Sequence, residues 1–156
     1  MNFEEFKQDL IRAFPPGPFY GLVSTHDECD DGIDLRRMLP GKRWDEVPAD
    51  FIDFNSAPLP LMEHRALVAF LPAWLLRAME RLVEGSVLSE YTMYFFCPGS
   101  EDEGWEEERI AQLIRLFDAP QRVVISDYLR AIAEREALKY WHPYAEFGLK
   151  WWPPAQ

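Results

Sequence analysis

The segment ALVAFLPAWLLRAMERL, residues 66–82, restricts the fold more than any other part of the chain. Leu67, Phe70, Leu71, Trp74, Leu75, Ala78, Met79 and Leu82 recur at three- and four-residue steps, which predicts a helix from about Glu63 to Val83. Its apolar positions cover more than half of the circumference, so protein must surround it on several sides and it belongs at the centre of a helical domain. Pro72 and Arg77 interrupt it well short of the roughly 18 apolar residues of a membrane span. Pro72 also lacks an N–H and crowds the carbonyl four residues back, which predicts a kink or a split at that point.

The remaining elements arrange themselves around that segment. Phe3, Phe6, Leu10 and Phe14 mark a first amphipathic helix with Asn2 as N-cap, stopped by PPGP at 15–18. A short helix is expected over about Cys29–Leu39, with acids in its first turn where the macrodipole favours negative charge, and another over 48–54 with Pro48 at its first position. Gly41-Lys42-Arg43-Trp44 reads as a turn whose Trp44 packs into the core. YTMYFFC at 91–97, aromatic and β-branched, reads as a strand that would pair with residues 19–24. Further helices are expected at 105–117 and at about 120–141, and the tail 142–156 as an irregular aromatic strap carrying Trp151 and Trp152. The fold class that results is mainly α, a compact single domain over residues 1–156 with at most a small two-stranded β element.

Composition narrows the function classes. An apolar fraction of 48% with eleven Phe and six Trp supplies a full core and argues against disorder. The formal charge of −11, from 27 acids and 16 bases, argues against nucleic acid, whose binders need a surplus of Lys and Arg to displace phosphate counterions. The start, MNFEEFKQDLIRAF, has acids where a secretory signal needs bases, so a soluble cytoplasmic protein that keeps away from membranes is the expectation. Cys29 and Cys97 are expected as free thiols.

The stretch THDECDD at 25–31 holds His26, Cys29 and four carboxylates, all types that zinc accepts. A tetrahedral site asks for a second closely spaced pair, and Cys97, His64 and His142 are isolated, so no metal and no cofactor are expected. Cys29 as a nucleophile activated by His26 meets a similar objection, because the neighbouring acids disfavour a thiolate. The plain reading is a loop entering a helix, capped by Asp27 or another acid. Phosphate-binding loops, nucleophile elbows and zinc-protease motifs are absent, and no catalytic residue is assigned.

A second acidic run, Glu101 to Glu108, places six carboxylates around Trp105. Its plain reading is a solvated loop and an acid-rich first helical turn. Its functional reading is a docking surface for Lys and Arg of a partner, anchored by the indole. The candidate partner-binding residues are therefore Asp27, Glu28, Asp30, Asp31, Glu101, Asp102, Glu103, Trp105, Glu106, Glu107 and Glu108.

Four blocks in order, DECDDGIDLRRMLPGKRWDEVP at 27–48, ALVAFLPAWLLRAM at 66–79, LFDAPQRVVISDYLRAI at 116–132 and ALKYW at 137–141, resemble a family of small, uncharacterised bacterial proteins. That resemblance implies a helix-rich bacterial domain and brings no catalytic residue with it. In size and charge the chain is similar to immunity proteins that neutralise toxins exchanged between bacteria. Three functions follow as expectations: an immunity-type protein that binds a cognate toxin or another basic protein; a small metal-dependent or thiol enzyme around His26, Asp27 and Cys29; and a regulatory protein-binding module.

Overall fold

The structure, a computed structural model, describes residues 1–82, 86–99 and 104–152. It contains eight α-helices among those residues: α1 (Phe3–Ala13), α2 (Asp30–Met38), α3 (Ala49–Phe54), α4 (His64–Glu80), α5 (Val87–Phe96), α6 (Gly104–Ile114), α7 (Ala119–Ala133) and α8 (His142–Trp151). Single 3-10 turns at Trp44–Glu46, Leu59–Leu61 and Glu136–Leu138 link them. No described residue is in a strand.

Helix α4 is the axis of the fold, packing on α1, α3, α5, α7 and the Trp44–Glu46 turn. Ten of its residues, Pro72 and Trp74 among them, are buried. It runs unbroken through Pro72, so the expected split does not occur. Contacts on several sides hold the segment helical although Pro72 withholds the N–H that would bond the Val68 carbonyl. Around this axis α1 begins with a reciprocal cap, in which Asn2 Oδ1 accepts from Glu5 N–H at 2.9 Å and Glu5 Oε2 accepts from Asn2 N–H at 3.1 Å. Phe6, Leu10 and Ala13 form its buried stripe.

Three indoles close helix ends. Trp44 Nε1 donates to the Phe14 carbonyl just past α1, Trp74 Nε1 to that of Asn55 just past α3, and Trp152 Nε1 to that of Phe96 at the end of α5, each at 2.8 Å. A helix C-terminus leaves carbonyls without intrahelical partners, and a buried indole needs an acceptor for its one N–H. Each of these contacts satisfies both needs and fixes how two distant stretches of chain meet.

Other expectations are corrected as well. Residues 91–97 are not a strand: α5 carries 91–96, and Cys97 is its C-cap. Leu88, Ser89, Thr92, Met93 and Phe96 share one buried helical face, and Ser86 Oγ accepts from Ser89 N–H at 3.3 Å to start it. The aromatic and β-branched content that suggested a strand reflects packing preference, which a buried helix face satisfies equally. The expected partner segment is engaged elsewhere, with Phe19 exchanging backbone hydrogen bonds with Gly41 and Lys42, and Glu63 N–H donating to the Val23 carbonyl. Gly41, at φ +78°, supplies the left-handed turn that this exchange requires.

A further correction concerns the C-terminal region. The last long helix stops at Ala133 instead of reaching 141, and most of the expected strap is helical, as α8. His142 Nε2 lies 2.7 Å from the Arg135 carbonyl, and Pro143 sits in the first turn of α8, where a missing N–H costs nothing. Helix α8 packs along α7 and against α5, and Gly148 makes the close approach possible. A Cβ at that position would stand 2.5 Å from Cys97 Sγ and 3.2 Å from Leu129 Cδ1. Pro48, expected as a first helical residue, is the N-cap of α3.

Candidate functional site: an apolar groove between α4, α5 and α6

A groove of about 590 Å³ lies among the described residues, within the size range of binding pockets. Leu59, Pro60 and Met62 form one wall, continued by His64 and Leu67 at the start of α4. Helix α5 presents Tyr91, Tyr94 and Phe95, and α6 presents Glu106, Arg109, Gln112 and Leu113, with Leu116 just beyond its end. On α6 these positions are three and four apart, so one stripe of that helix lines the groove over its length.

Where α5 ends, one guanidinium ties the groove together. Arg109 Nη1 donates to the Phe95 carbonyl at 2.9 Å, and Nη2 to the Cys97 carbonyl at 3.3 Å and to Glu106 Oε2 at 3.0 Å. Gly99 N–H also donates to Glu106 Oε2, at 3.3 Å. The cation lies 5.9 Å from the Phe95 ring centroid. Arg109 thus satisfies terminal carbonyls of α5 while neutralising Glu106, which is 7% exposed. Burial pushes the Cys97 thiol up to about 12, which keeps it protonated and unreactive at neutral pH. Burial, and then the nearby Glu90 carboxylate, also raise Tyr94.

The acidic residues singled out from sequence fall into three groups. Asp27 and Glu28 are exposed in the loop before α2, and Asp30 and Asp31 are exposed on its first turn. The N-cap there is Cys29, half-buried and without a side-chain cap bond, in place of the expected acid. Gly32 lets the loop curl back over the helix start, because a Cβ there would stand 2.2 Å from the His26 carbonyl oxygen. Ser24 Oγ donates to the Leu61 carbonyl at 2.6 Å and accepts from His26 N–H at 3.1 Å, and Thr25 Oγ1 reaches Glu63 Oε1 at 3.4 Å. The loop is therefore fastened to residues 61–63, immediately beside Met62 and His64 in the groove wall.

The second group is on α6. Glu106 faces inward and is held by Arg109 and Gly99, Glu107 is half-buried, and Glu108 is exposed and accepts from Gln112 Nε2 at 3.2 Å. The third group, Glu101, Asp102 and Glu103, lies outside the described residues, as does the Trp105 side chain. Among the described residues no group of three or more His, Cys, Asp or Glu could hold a metal ion, and no helix is long and apolar enough to cross a membrane.

Sequence reasoning missed the groove itself. Tyr91, Tyr94 and Phe95 line it only because α5 is a helix. The i,i+3 pair Glu106 and Arg109 was a legible signal, since that spacing places both on one helix face. A separate charged network locks α3 to α4: Arg77 grips Asp53 with two hydrogen bonds, at 2.9 and 2.6 Å, and Arg81 adds a third at 2.9 Å. Neither a protein-family model, nor a curated protein, nor a solved structure matches the chain.

Proposed function

We propose that the chain is an immunity-type binding protein that neutralises a basic partner, a bacterial toxin, without turnover of its own. The observation that carries this reading is that both acid-dense stretches adjoin segments of chain that meet at one apolar groove. Ser24 and Thr25, which lead into the 27–31 stretch, are fastened to residues 61–63 beside Met62 and His64, and Glu106 in the first turn of α6 lines the groove. Carboxylates at the edge steer a cationic partner, and an apolar floor retains it, which is the division of labour of tight protein interfaces. The net charge of −11 extends the attraction beyond the contact itself. The resemblance to small bacterial proteins supplies the setting.

The enzyme reading has less to stand on. Among the described residues no group of three or more His, Cys, Asp or Glu could hold a metal ion, and the buried Cys97 thiol, packed against Gly148 of α8, is held protonated. The test is to mix the protein with the product of the neighbouring gene. A stoichiometric complex on gel filtration, with rescue of cells expressing that product, is expected. A partner that neither co-elutes nor loses toxicity would refute the reading.

A further inference from the structure

We draw no further inference here: the strongest candidate, the apolar groove between the Leu59–Leu61 turn, α5 and α6, has residues of both charge signs next to its walls, and nothing in the structure shows what covers it.

Discussion

Replacing Gly148 by Ala tests the docking of the C-terminal helix through the sign of the effect. At an open helix position the change stabilises, since Gly is less favourable than Ala by about 1 kcal/mol. At position 148 the added Cβ would stand 2.5 Å from Cys97 Sγ and 3.2 Å from Leu129 Cδ1, both in buried residues. Overpacking of this kind costs about 1–3 kcal/mol, so the helix-propensity gain is cancelled and the net change is a loss of up to about 2 kcal/mol. The clash is centred on one atom, and removing it should restore the fit. Cys97→Ala alone leaves a small cavity and destabilises, whereas the double variant should be more stable than the sum of the single effects by at least about 1 kcal/mol. Urea unfolding of the four proteins, followed by tryptophan fluorescence, gives the cycle. A stabilised Gly148→Ala, or strict additivity, would show that α8 does not press against the end of α5.

Two carboxylates should shift stability with pH in opposite senses. Hydrogen bonds from Arg77 hold Asp53 below the usual carboxylate range, so its contribution is present above that range and is lost as pH falls through the lowered value. Asp53→Asn should cost about 1–3 kcal/mol at pH 7, and its urea midpoint should converge with that of the wild type in acid. Burial raises Asp127, opposed by its ion pair with Arg130, so its charge is a liability at neutral pH that is relieved as pH falls through the raised value. Asp127→Asn should leave stability at pH 7 equal or higher, and a loss beyond about 1 kcal/mol would contradict this. Gly32→Ala should push the 25–31 loop off α2 and lower the thermal midpoint, because the atom it meets is the His26 backbone oxygen and cannot swing away. An unchanged midpoint would mean that the loop is not fastened there.

The parts of the fold legible from sequence were those with strong local signals. Asn2 and the stripe of Phe3, Phe6, Leu10 and Phe14 announced α1, and the breadth of the apolar face of 66–82 announced a central helix. Helix α5 was misread because five of its seven residues from Tyr91 to Cys97 favour a pleated surface on composition, and only the buried face formed by α4 and α8 settles the period. Helix α8 was hidden behind Pro143 and Gly148, which read as breakers. One is a first-turn residue and the other a contact point. The exposed acids 27, 28, 30 and 31 could be picked from the chain, but the inward turn of Glu106 could not, because it depends on carbonyls of α5 that bring Arg109 across.

Association kinetics with the neighbouring-gene product test the central claim, that a basic partner is steered by carboxylates to an apolar groove. On- and off-rates would be measured at several salt concentrations for the wild type, for a variant with Asp27, Glu28, Asp30, Asp31, Glu107 and Glu108 changed to Asn or Gln, and for Tyr91→Ala. Glu106 stays, because it holds Arg109. The neutralised variant should keep its stability within about 1 kcal/mol, associate more slowly, and lose most of the salt dependence, since steering is screened over about 8 Å at physiological ionic strength. Tyr91→Ala should act mainly on dissociation. An association rate indifferent to both salt and neutralisation, together with a dissociation rate unchanged in Tyr91→Ala, would contradict the account.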